Sequence, residues 1–151
     1  MEIRRETYEA PSVRTLVAAL GTELLDRYGG FDGSGGEHSA SDFEKPDGAF
    51  LVGWENGEPV ACGGVCRYDE TTAEIRRMYV APEARGRGLG RLVLAALEDE
   101  ALALGYAFVR LETGSAQPEA IRLYASSGFA PIPRYGPFVD DPGSVCLEKR
   151  L

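Results

Sequence analysis

EIRRMYVAPEARGRGLGRLVLAALEDEALAL, residues 74–104, is the stretch around which the chain is organised. Glu74 to Val80 reads as a strand, and Ala81-Pro82-Glu83-Ala84 is a tight link. Arg85-Gly86-Arg87-Gly88-Leu89-Gly90 is a glycine-dense turn, and a helix with an apolar stripe runs from Gly90 to Leu104, before Gly105. A glycine-rich turn that opens a helix leaves several backbone N–H groups at the positive end of the helix dipole, a geometry that binds phosphate. The turn is therefore the candidate cofactor site.

Downstream, Val93, Ala96, Leu97, Ala101 and Leu104 share one stripe of the helix with Leu89, while Glu98, Asp99 and Glu100 are expected on its exposed face. Gly105 suits the position just past a helix end. Ala107 to Glu112 is the next strand and should lie parallel to Glu74–Val80 through a right-handed crossover. Pro118 opens a short helix that runs to Ser127 and is closed by Gly128. The tail has prolines at 131, 133, 137 and 142, so it reads as extended loop before a last strand, Ser144 to Leu147.

Upstream, Ile3 to Tyr8 suits an edge strand or a disordered start. After Pro11, Ser12 is the expected cap of a helix whose apolar positions, from Val13 to Leu25, recur at three and four residues until Gly29-Gly30. Residues 29–48 contain six glycines and no period, which predicts a long loop with one helical turn near Ser41 to Glu44. That loop holds the only histidine, His38, readable as a solvated surface residue or as a substrate contact. Phe50–Trp54 and Pro59–Arg67 flank Glu55-Asn56-Gly57-Glu58, a strong hairpin signal. A second turn at Asp69 to Thr72 completes a three-strand meander, and Gly63-Gly64 in its middle strand suggests a bulge or a close approach. The sum is an α/β (α+β) chain with a mixed sheet of six or seven strands, in one domain spanning residues 1–151.

Composition narrows the classes. A net charge of −8 argues against nucleic acid, whose binding needs clustered Lys and Arg. Residues 1–75 carry 15 acids and 6 bases, whereas residues 76–151 carry 9 and 10, so the second half tolerates a phosphate-rich ligand and the first favours a cationic partner. No apolar run approaches the roughly 18 residues of a membrane span, and the first residues lack a signal-peptide core, so a soluble cytoplasmic protein is expected. Cys62, Cys66 and Cys146 have neither a disulfide count nor C-x-x-C spacing; no metal site is expected, and Cys62 and Cys66 should share one face of a strand as buried thiols.

Arg85 to Gly90 matches the pattern Gln/Arg-x-x-Gly-x-Gly/Ala of the acyl-CoA-dependent N-acetyltransferases, the GNAT superfamily, and Ile121 to Phe129 (IRLYASSGF) resembles that family's closing signature. The two motifs stand in order, 33 residues apart from Arg85 to Pro118. The resemblance covers roughly Phe50 to Phe129 and implies a mostly antiparallel sheet with a splayed parallel pair. It also implies that the turn (Arg85, Gly86, Arg87, Gly88, Leu89, Gly90) holds the pyrophosphate of acetyl-CoA, with charge from Arg85, Arg87 and Arg91. Met78 and Val80 would offer backbone groups to the pantetheine arm, much as in strand addition. Tyr124 matches the tyrosine that protonates the departing CoA sulfur. Gln117 stands where many relatives carry an asparagine that caps the short helix and touches the cofactor; glutamine is a poorer cap, and Ser115 is an alternative.

An acceptor amine with a pKa near 10.4 must lose a proton before it attacks, so a carboxylate or a water chain has to take it. Glu74 and Glu112 match base positions used by different relatives, and both stay candidates. The resemblance thus implies an N-acetyltransferase acting in a ternary complex on a primary amine of a small cationic molecule or peptide, with a homodimer as a family-level expectation. A CoA-binding sensor or scaffold without turnover is the alternative.

Overall fold

A computed structural model describes residues 1–29 and 38–151, so the part of the predicted loop at 30–37 lies outside the described residues. Seven strands form one sheet in the order β1-β2-β3-β4-β5-β7-β6: β1 Glu2–Glu6, β2 Ala49–Glu55, β3 Glu58–Arg67, β4 Thr72–Val80, β5 Phe108–Gly114, β6 Ala130–Ile132 and β7 Ser144–Arg150. All neighbours are antiparallel except β4 and β5. Among the described residues three α-helices flank it: α1 Pro11–Tyr28, α2 Leu89–Ala103 and α3 Pro118–Ser126.

The two faces have separate cores. On one, Val93, Leu94, Leu97 and Ala101 of α2 pack on Val65, Ile75, Val109 and Leu111, the crossover expected of a strand–helix–strand unit. On the other, Val13, Leu16, Leu20 and Leu24 of α1 cover Phe50, Val52, Cys62 and Cys66. Cys62 and Cys66 share that face as free thiols, each pushed up to about 12 by burial. Thiols so far from ionisation are inert as nucleophiles.

β4 and β5 pair over three positions, Thr72–Phe108, Ala73–Val109 and Glu74–Arg110, and then part. The departure is prepared one strand earlier. Between Cys62–Tyr79 and Gly64–Arg76, β3 advances two residues while β4 advances three. The bulge foreseen at Gly63-Gly64 is therefore an extra residue on β4, with Arg77 at φ 59°. An inserted residue reverses the alternation of everything after it. Ala73 and Ile75 face α2 before the bulge, and Met78 and Val80 face α2 after it. Gly63 lies opposite, where an added Cβ would come within 2.8 Å of the Met78 sulfur and 2.7 Å of Leu97 Cδ1, so that both side-chain ends would have to shift.

Several local expectations change. The proline-rich tail contains β6, where Pro131 sits opposite Leu147 on an edge strand that tolerates a missing N–H. α1 starts at Pro11 with Ala10 as its cap residue, and Ser12 lies within the first turn, because the Ala10 carbonyl already accepts from the Arg14 N–H at 3.0 Å. Glu98 and Glu100 are half-buried and ion-paired, with Lys149 (2.5 Å) and Arg5, since the β1 and β7 strands reach the helix flank.

Candidate functional site

The parting of β4 and β5 opens a cleft. Its inner part, a cavity of about 100 Å³, is lined by Arg76, Met78, Glu112, Thr113, Gln117 and Tyr124. Its outer part, about 270 Å³, runs past Val80 to Arg85, Gly86, Gly88, Leu89 and Gly90. Met78, Gln117 and Tyr124 line both, so one channel joins the glycine turn to the interior of the sheet.

At the outer end the turn is shaped by backbone geometry. Gly86 and Gly88 have φ 80° and 78°, and Gly88 is the residue from which α2 starts. A side chain in this left-handed region costs about 1–2 kcal/mol, so glycine is the residue that fits. The first N–H groups of α2 have no acceptor within the helix and point outward with its dipole. The arginines are committed unequally. Arg87 turns away to Glu55 (2.6 Å) and does not line the cleft. Arg85 stays beside it, paired with Glu23 of α1 (2.7 Å), donating through Nε to the Val80 carbonyl (2.8 Å) and lying over the Tyr79 ring. Arg91 bonds Ser126 (2.8 Å) and Ser127 (3.0 Å) at the end of α3.

At the inner end, Tyr124 is 7% exposed and leans edge-on against Phe129. Burial, and then the nearby Glu112, push its phenol well above the ordinary tyrosine range, so it holds its proton. Glu112 faces the same cavity from β5 and accepts from the Ser144 hydroxyl at 2.7 Å. Burial raises its pKa, and the Ser144 bond opposes that rise. Glu74 sits where the strands begin to part, outside the cavity lining, with one oxygen taking the Tyr135 hydroxyl at 2.7 Å and the other 3.4 Å from Arg76. Glu112 and Tyr124 thus line one cavity, and Glu74 stands outside its lining.

α1 bridges the cleft. Leu20 lines both parts, Glu23 holds Arg85 on one bank, and Arg27 holds Glu119 (2.5 Å) and the Ala116 carbonyl (3.0 Å) on the other. Gln117 occupies the cap position of α3 without a side-chain cap bond, and Ser115 does not replace it. Its amide instead approaches the Tyr28 hydroxyl at 3.4 Å while its side chain lines the channel. His38 neighbours Asp42 (3.5 Å) and Phe43 and lines a surface recess with Tyr8 and Arg14; burial and then the charges of Arg76 and Arg77 lower its pKa. Arg76, Ser144, Tyr135 and the α1 residues were not singled out from sequence. Two adjacent arginines inside an otherwise apolar strand, Arg76-Arg77, were the available signal.

The chain belongs to the acetyltransferase (GNAT) family, whose profile matches residues 15–129. It is 44% identical over 108 residues to a protein of Azospirillum brasilense described as an IAA acetyltransferase, covering 71% of each chain. It is 32% identical to an uncharacterised N-acetyltransferase of Bacillus subtilis, over 70% of this chain and 72% of the relative. A Klebsiella pneumoniae structure provisionally described as an acyl-CoA N-acyltransferase superposes with a TM-score of 0.82 at 32% identity, over 99% of this chain and 97% of the other. An Elizabethkingia anophelis GNAT acetyltransferase with acetyl-CoA bound shares the fold, with a TM-score of 0.71 at 21% identity and coverage of 99% and 97%.

Proposed function

We propose that residues 1–151 act as one domain that moves acetyl from acetyl-CoA to a primary amine by direct attack, without an acyl-enzyme. The observation that carries this reading is the single channel that joins the glycine turn to Glu112 and Tyr124. The residues present suit the cosubstrate: open space surrounds Gly86 and Gly88, the first turn of α2 offers N–H donors, and beyond its bulge β4 is unpaired on the side of β5.

When bound, acetyl-CoA supplies a thioester carbonyl as the electrophile. Gly86, Gly88, Leu89 and Gly90 hold its pyrophosphate through backbone N–H groups, and Met78 and Val80 align its arm along β4. Leu20, Met78 and Leu111 supply the apolar part of an inner cavity whose lining is mainly polar. Glu112 takes the proton of the acceptor ammonium, and its raised affinity for protons makes it a stronger base than an exposed carboxylate. As the nitrogen–carbon bond forms and the carbon–sulfur bond breaks, Tyr124 gives its proton to the sulfur and regains one from the second proton that the nitrogen sheds on becoming an amide. Its phenol is held neutral by burial, so that proton is present at neutral pH. Glu74, fixed by Tyr135, orients Arg76 rather than touching the amine.

The test is thiol release from acetyl-CoA over a panel of primary amines, with IAA, the compound in the name of the Azospirillum relative, tried separately. Amine-dependent release with an acetylated product of the matching mass is expected. Tight acetyl-CoA binding with no release for any acceptor would replace this reading with a CoA-binding module that senses or scaffolds.

A further inference from the structure

Arg76 is 9% exposed, yet its guanidinium is incompletely bonded. Nη1 reaches Glu74 at a long 3.4 Å, and the other oxygen of that carboxylate already holds the Tyr135 hydroxyl. Nη2 is buried and has no hydrogen-bond partner among the described residues. The guanidinium rests 6.0 Å from the Phe138 ring, which offers no acceptor oxygen. A buried charged group with an unmet donor is expensive, and the expense falls when a ligand supplies the acceptor.

The position of Arg76 says what that ligand has to carry. Glu74 and Arg110 are the last paired residues of the parallel strands. Arg76 and Glu112 lie two residues further along their own strands, so they stand across the opening from each other, and both line the inner cavity with Tyr124. Arg110, on the facing strand, is spoken for: Glu148 binds it at 2.6 Å, and Tyr68 and Tyr135, themselves edge-on to each other, flank it at 4.4 and 4.7 Å. The cavity thus presents the Glu112 carboxylate on one bank and, on the other, Arg77 together with Arg76, whose guanidinium keeps an unmet donor. A guanidinium's fork of donors matches a carboxylate, and Glu112 matches an ammonium.

We propose that the acceptor is an amino acid or a close analogue, with its carboxylate bound by Arg76 and its amine presented to Glu112. This inference rests on the acetyl-transfer reading and sharpens the expectation of a cationic acceptor into a zwitterionic one.

The experiment measures kcat/KM for acetyl transfer from acetyl-CoA to the common L-amino acids, to their carboxamides and to the corresponding decarboxylated amines, in matched sets. Removing one member of a buried charge pair typically costs 2–5 kcal/mol, so the best amino acid should exceed its own amide and amine by roughly 30-fold or more. Arg76→Gln should bring that ratio close to one, mainly through KM for the amino acid, and Arg76→Lys should restore part of it. Amides or decarboxylated amines that serve as well as the amino acid in the unsubstituted protein overturn this inference alone. A preference for the amino acid that survives Arg76→Gln overturns it too. Acetyl transfer to no acceptor at all overturns the parent reading with it. The comparison in the unsubstituted protein does not depend on how the variants fold.

Discussion

The two ends of the cleft are built by different means. The outer end is made of backbone: positive φ at Gly86 and Gly88 and the free N–H groups of α2, all within a few residues of one another. The inner end is made of side chains delivered from distant strands, with Tyr135 reaching Glu74 across 61 residues of sequence and Ser144 reaching Glu112 across 32. A shape shared by every acyl-CoA is met by local geometry, whereas the recognition of one acceptor is assembled from non-local contacts that loops and strand ends bring in. The first tolerates variation around it; the second changes with each side chain.

Substitutions at the two ends should therefore fail differently. The largest effect is expected at the junction: Tyr124→Phe removes the proton for the departing sulfur and should lower kcat by about 10²–10⁴-fold, with acetyl-CoA affinity little changed, as steady-state kinetics and calorimetry would show. A rate equal to that of the unsubstituted protein would remove Tyr124 from the chemistry. Next, at the inner end, Tyr135→Phe leaves a buried Glu74 oxygen without its donor, a loss of about 1–3 kcal/mol. Thermal unfolding should register it, together with a higher KM for the acceptor and no comparable change for acetyl-CoA. At the outer end the pattern reverses. Gly88→Val strains φ 78° by about 1–2 kcal/mol and should weaken acetyl-CoA binding with less effect on acceptor KM. If both variants altered both affinities equally, the division between backbone end and side-chain end would fall.

The smallest effect separates charge from shape. Burial raises the Glu112 pKa, so protonated Glu112 favours the folded state at low pH, and this contribution is lost as pH rises through the raised value. Glu112→Gln, neutral throughout, should therefore melt together with the unsubstituted protein near pH 4 and increasingly above it towards about pH 7, while acetyl transfer is impaired. A melting difference that shrinks as pH rises would mean that Glu112 is stabilised as the anion.

The sequence by itself determined the strand, turn and helix of residues 74–104, the hairpin at Asn56-Gly57 and the parallel crossover to β5. Glycine conformations, helix dipoles and hydrophobic periods act over a few residues, so their consequences can be read in order along the chain. Its resemblance to the family also brought forward Tyr124, Glu112 and Glu74 as candidates. The tertiary structure decided the rest: the extra residue on β4 at Arg77, the strand at Pro131, the bridge of α1 over the cleft, and the separation of Glu112, which faces the cavity, from Glu74, which Tyr135 holds. It also decided that Arg76 is buried with a donor unmet, which bears most directly on the acceptor. Burial and long-range hydrogen bonds depend on which strands become neighbours, and that is fixed only when both faces of the sheet are packed.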